Sequence, residues 1–102
     1  MSQVNLSAQI VVSPEGESLY SFEYAAHLSQ TSITVVESIV ALGLIEPTRA
    51  MLRSQDIARI SQIQRLRQDL GLNLVGAAMV LEMAQEIAQL RAQLKAHQRS
   101  GE

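Results

Sequence analysis

Between Asn73 and His97 the chain reads NLVGAAMVLEMAQEIAQLRAQLKAH, with no proline, a single glycine and mostly strong helix formers. Apolar residues recur within it at Val80, Met83, Ile87, Leu90 and Leu94, in alternating steps of three and four. That spacing is the seam of a coiled coil, narrower than the stripe of a helix lying on a broad core. At about 1.5 Å per residue the run makes roughly 37 Å of helix, longer than a small domain covers by itself. The seam therefore requires a partner, and these five residues are assigned to dimerisation.

Charge gives that partner a direction. Glu82 and Glu86 lie in the first half of the helix, and Arg91, Lys95 and Arg99 in the second. Two parallel copies would set like against like, whereas an antiparallel pair crossing near Ala88 sets acids against bases. A symmetric antiparallel homodimer is the expectation. The alternative is an ordinary helix folded back on its own domain.

The whole chain, 102 residues, suffices for one structural domain with a modest core. Its expected division is a head over residues 1–72 and a dimerisation helix with a tail over 73–102. Aromatic residues number only three, Tyr20, Phe22 and Tyr24, so aliphatic side chains must fill the core. A net charge of −2 argues against general affinity for phosphate backbones, which rests on concentrated Lys and Arg. Without cysteine there is no disulfide and no thiolate chemistry. No signal-like segment and no long apolar run occurs, which makes a cytoplasmic protein the expectation.

The head begins with period-two alternation from Val4 to Val12, a half-buried strand, followed by turn residues from Ser13 to Gly16. A lone strand needs a partner, which Leu19–Tyr20 or the segment from Ala50 to Leu52 can supply within the chain, or a strand of the second subunit outside it. Ser21 is placed to cap a helix from Phe22 to about Ser29, and Thr31 or Ser32 a second one running to Leu42. The second helix buries Ile33, Val36 and Ile39 or Val40, and Gly43 ends it. Two short helices joined by a tight turn form a helix-turn-helix. After Pro47, Thr48 to Arg53 form a brief link, a wing in a winged arrangement. Ser54 is the expected cap of a third helix reaching Leu70, with Asp56 in its first turn and a core face of Ile57, Ile60, Ile63, Leu66 and Leu70. Gly71 stops it and Asn73 caps the next.

Chemistry-bearing constellations are absent from the sequence. His27 and His97 are the only histidines and lie far apart in the chain, the glycines are scattered, and no serine or threonine has a base close to it in a motif. The expectation is a non-enzymatic protein without cofactor or metal. Arg49, Arg53, Arg59, Arg65 and Arg67 form a basic segment whose simplest reading is a solvated face paired locally with Asp56 and Asp69.

The order helix, turn, helix, LGLIEP (Leu42 to Pro47), short wing, helix with RLRQDLGLNL (Arg65 to Leu74) and long coiled-coil helix resembles the MerR-like winged helix-turn-helix proteins over nearly the whole chain. The resemblance implies a mainly α fold, with a short N-terminal β element and a long C-terminal coiled-coil helix. Relatives that read DNA place a basic residue and aromatics in the second helix. Here the aligned stretch is TVVESIV (Thr34 to Val40), with Glu37 at the arginine position and no Lys or Arg between Met1 and Pro47. A carboxylate repels phosphate, and an apolar helix offers base edges no bidentate donors. The sequence argues against direct DNA binding by this helix.

A closer similarity is to the CbpM family of chaperone modulatory proteins, carried by LGLIEP, by Asp56 at the start of the third helix, by RLRQDLGLNL and by Met83, Ile87 and Leu90 in the fourth helix. It implies a non-enzymatic adaptor that binds the J domain of a DnaJ/CbpA-type co-chaperone. Such an adaptor inhibits the co-chaperone's stimulation of Hsp70, with its DNA binding as a second target. J domains carry a basic helix, which the acidic head residues Glu23, Glu37 and Glu46 suit in sign. By the same resemblance the contact falls on Tyr24, Glu37, Ile39, Leu44, Ile45 and Glu46, around the helix that DNA-binding relatives use for recognition. The alternative is a MerR-like DNA-binding transcriptional regulator using the wing with Arg53, Arg59 and Arg65. A third possibility is an anti-activator that only heterodimerises with another MerR-like protein.

Overall fold

The computed structural model describes residues 9–101. Of the expected strand, Val4 to Ala8 lie outside the described residues. Its end is β1 (Ile10–Val12), which pairs antiparallel with β2 (Ser18–Tyr20) in the register Ile10 with Tyr20 and Val12 with Ser18. The connecting turn is tied by Ser13, whose carbonyl accepts from the Gly16 N–H at 2.9 Å and whose hydroxyl accepts from the Glu17 N–H at 3.1 Å. Gly16 sits at φ 83°, where a residue without Cβ carries no steric penalty.

Of the two candidate partner segments within the chain, Leu19–Tyr20 pairs with β1, whereas the Ala50 to Leu52 segment enters the sheet only through Leu52 and on the far side of β2. β3 (Leu52–Arg53) pairs with its other edge, Tyr20 opposite Leu52. Before β3 the chain reverses between Thr48 and Met51, which exchange hydrogen bonds of 2.8 and 2.9 Å. Arg49 and Ala50 occupy φ 53° and 61°, the left-handed pair that a tight hairpin turn requires.

Ser21 caps α1 (Phe22–Leu28) by accepting the Tyr24 N–H at 3.0 Å, and Ser32 caps α2 (Ile33–Ala41) by accepting the Val35 N–H at 3.2 Å. Val36 and Ile39 are the fully buried residues of α2, while Ile33, in its first turn, is exposed. Gly43, at φ 76°, turns the chain out of the helix. These elements enclose one core cluster of Ala25, Ala26, Val36, Ile39, Ile45, Leu52 and Ile60.

α3 (Ser54–Leu70) corrects the expected cap. Arg53 holds the cap position, and the Asp56 carboxylate reaches back to accept the Arg53 N–H at 2.9 Å. Ser54 lies one residue inside, its hydroxyl 3.4 Å from that of Tyr20. Ile60 and Ile63 are buried and Ile57 and Leu66 half-buried, but Leu70 in the last turn is exposed. Gly71, at φ 64°, and the Asn73 cap on the Gly76 N–H at 2.7 Å turn the chain by 110° into α4 (Leu74–Ser100).

Only the start of α4 packs on the head, through Ala77, Ala78 and Leu81 against Ile63. From Glu82 to Arg99 every residue is exposed, and the helix draws the molecule out to 63 × 38 × 19 Å. The alternative in which this helix folds back on its own domain is therefore not what the chain adopts. No single helix among the described residues is long and apolar enough to cross a membrane.

Candidate partner-binding surface

The exposed side of α2 is formed by Ile33, Thr34, Glu37 and Ala41, followed by Leu42 in its cap position. Because Val36 and Ile39 turn into the core, this outer face combines small and apolar residues with one carboxylate and holds no cation. The face therefore carries a negative sign from Glu37, whereas the exposed Glu17 and Glu46 lie close enough to Arg53, and Glu15 to Arg49, to act on those charges.

Burial corrects two of the six expected contact residues. Ile39 is fully buried and Ile45 is 4% exposed, so both are core residues that shape the surface from beneath. Leu44 is half-buried and packs on both core clusters, whereas Glu37 and Glu46 remain exposed. Leu44, Ile45 and Glu46 do come together, along an open cleft of about 360 Å³ whose opposite wall is Arg53, Asp56 and Arg59.

The arginines of that wall are already engaged. Arg53 Nε and Nη2 each lie 3.2 Å from the Asp56 carboxylate, itself 5% exposed. These hydrogen bonds and the Asp56 charge, with weaker help from Glu17 and Glu46, hold the Arg53 guanidinium above its usual pKa. Arg59 reaches across to α4, donating to Gln85 at 3.2 Å and pairing with Glu82 at 3.4 Å. Of the two acids expected to pair with the basic segment, Asp56 holds Arg53, and the partner of Arg59 is instead Glu82 on α4. Arg67 donates to Gln64 at 2.7 Å.

Tyr24 belongs to a feature that the sequence reading missed. Its ring stacks on Tyr20 with centroids 5.9 Å apart and 13° between planes, and His27 continues the row at 6.4 Å. The two tyrosines are half-buried and His27 is exposed. The available signal was the spacing of Tyr24 and His27, one turn apart on α1, behind a tyrosine at the end of a strand. Through the Tyr20 and Ser54 hydroxyls this row meets the start of α3, next to the Arg53–Asp56 pair.

On α4 the expected seam is laid bare. Val80 is half-buried, and Met83, Ile87, Leu90 and Leu94 are 48–57% exposed. At about 100° per residue they fall on the far side of the helix from Ala77, Ala78 and Leu81. One face of α4 is thus committed to its own head and the other, beginning at Met79, forms a continuous exposed apolar stripe.

Residues 20–99 match the family described as MerR HTH family regulatory protein. The chain is 32% identical over 83 residues to a Streptomyces coelicolor protein named as heat shock protein HspR, an alignment covering 76% of this chain and 55% of that protein. The chain thus spans about half the length of that curated relative. No solved structure matches it.

Proposed function

The chain belongs to the family of MerR HTH regulatory proteins, and from that premise we propose that it is a non-enzymatic adaptor. Its helix-turn-helix head docks on the J domain of a DnaJ/CbpA-type co-chaperone in the cytoplasm and masks the surface used to stimulate Hsp70. The observation that carries this reading is the outer face of α2, where Glu37 stands among Ile33, Thr34, Ala41 and Leu42 without a single cation. A negative, partly apolar helix face suits a basic protein helix and repels a phosphate backbone. The heat-shock name of the Streptomyces coelicolor relative supports the same direction.

The adaptor is a homodimer in this reading. With α4 crossing its copy antiparallel between Ala88 and Gln89, Met83 meets Leu94 and Ile87 meets Leu90 of the second helix. The same register puts Glu86 level with Arg91 and Glu82 level with Lys95. One register aligning both the apolar layers and the opposite charges favours an identical partner over a different one. The contact residues are Tyr24, Glu37, Leu44 and Glu46, with Ile39 and Ile45 supporting them from the core.

The rival, a DNA-binding regulator contacting DNA through the wing with Arg53, Arg59 and Arg65, loses support at two of these arginines, since Arg53 and Arg59 are held by Asp56 and Glu82 while Arg65 is exposed. Two titrations of the full chain separate the readings: calorimetry against an isolated J domain, and gel shift against DNA over a series of salt concentrations. The adaptor reading expects saturable J-domain binding and no sequence-preferring shift at physiological salt. The opposite pair of results overturns it.

A further inference from the structure

Two of the chain's three aromatic residues and one of its two histidines stand in one row on the surface of the head. Phe22, the third aromatic, packs on the core. Nearly parallel rings in full face contact would lie about 3.5–4 Å apart, so the 5.9 Å between Tyr20 and Tyr24 is largely lateral offset. Both tyrosines keep part of their surface exposed, and His27 is exposed at the end of the row. On α1 the exposed Glu23 stands four residues before His27 and Tyr24 three before it, so Glu23 flanks the His27 end of the row.

Open aromatic faces bind nucleobases or cations. A nucleobase brings a phosphate with it, and the two helices of the head that carry and follow the row, α1 and α2, hold Glu23 and Glu37 and no Lys or Arg. That sign admits a cation and opposes a nucleotide. Among protein cations the guanidinium fits best, because its plane stacks on a ring while its N–H fork pairs with a carboxylate. We propose that the Tyr20–Tyr24–His27 row with Glu23 is a specificity subsite for an arginine on the basic helix of the docked partner. This rests on the adaptor reading above and adds the chemistry by which the head selects its partner: the ring row takes the plane of the guanidinium, and Glu23 takes its edge.

The test is calorimetric titration of the full chain with an intact J domain, using wild type, Tyr24→Phe, Tyr24→Leu and Glu23→Gln, each checked for folding by circular dichroism. Tyr24→Phe keeps the ring and is expected to bind within about twofold of wild type. Tyr24→Leu keeps apolar bulk without a ring face and is expected to weaken binding about 3- to 30-fold. Glu23→Gln, at an exposed position that leaves the fold intact, is expected to weaken it about threefold and to flatten its salt dependence. Wild-type affinity in both Tyr24→Leu and Glu23→Gln overturns the subsite and leaves the adaptor reading standing. If Tyr24→Leu does not fold, Glu23→Gln alone decides, with unchanged affinity and salt dependence as the refuting result. Absence of saturable binding by the wild type overturns the adaptor reading and the subsite together.

Discussion

Replacing Asp56 by alanine removes one carboxylate that performs three tasks. It accepts the Arg53 N–H at 2.9 Å, it receives Arg53 Nε and Nη2 at 3.2 Å each, and it places negative charge in the first turn of α3. Loss of a helix cap costs about 1 kcal/mol, and loss of the charge–dipole interaction about 0.5 kcal/mol. The guanidinium pair adds no separate amount, because the Arg53 side chain is 31% exposed and water screens it. The total is about 1.5 kcal/mol, which for a domain of this size lowers Tm by roughly 6–12 °C. Asp56→Asn keeps the volume and one acceptor oxygen but loses the charge, so about half that effect is expected. Thermal and urea unfolding followed by far-UV circular dichroism at fixed protein concentration measures both. A loss below about 0.5 kcal/mol for Asp56→Ala would mean that Ser54, the cap expected from sequence, holds the helix after all, and the account of this corner would fail.

Ile60 is fully buried in the head core, so Ile60→Ala is expected to cost about 3–4 kcal/mol in urea unfolding. Gly71→Ala meets no atom within 4 Å of the added Cβ yet keeps φ 64°, so a loss of about 1 kcal/mol is expected from backbone strain alone. Ile87→Asp, at a residue already 48% exposed in the protomer, is expected to leave far-UV circular dichroism unchanged and to abolish the dimer by native mass and sedimentation. A dimer that persists removes the seam from the account. The Glu15 carboxyl is held below its usual pKa by its own backbone N–H and then by the Ser13 hydroxyl. A lowered folded value stabilises at pH above the ordinary carboxylate range and is lost as pH falls through the lowered value, so Glu15→Gln is expected to flatten the acid side of the stability profile.

The sequence carried most of the helical frame because its signals there are local. Ser21, Ser32 and Asn73 cap, Gly43 and Gly71 terminate, and Val80 to Leu94 keep the period of an exposed seam. It was less legible where long-range packing decides. A period of three or four on α2 does not say which of Ile33, Val36, Ile39 and Val40 turns inward, and Ile39, a core alternative by period but a contact residue by resemblance, is enclosed together with Ile45, while Ile33 is exposed. The reversal at Arg49 and Ala50 lacks the Asn-Gly chemistry of such turns, so the pairing of Leu52 with Tyr20 had no local signature beyond its apolar character. The Arg53 cap was hidden because arginine is a poor capping residue, and only the reach of Asp56 back to its N–H makes it one. The stack of Tyr20 on Tyr24 joins a strand to a helix, a proximity that no single periodicity contains.

The claim that most needs testing is that a head without cations on α2 inhibits a J domain. The direct measurement is the ATPase rate of an Hsp70 stimulated by its DnaJ/CbpA-type co-chaperone, titrated with the full chain at physiological salt. The account predicts that stimulation falls to the basal rate as the chain approaches one protomer per J domain, with Glu37→Arg shifting the titration to higher concentration. Undiminished stimulation at a saturating excess of folded wild-type chain would contradict it.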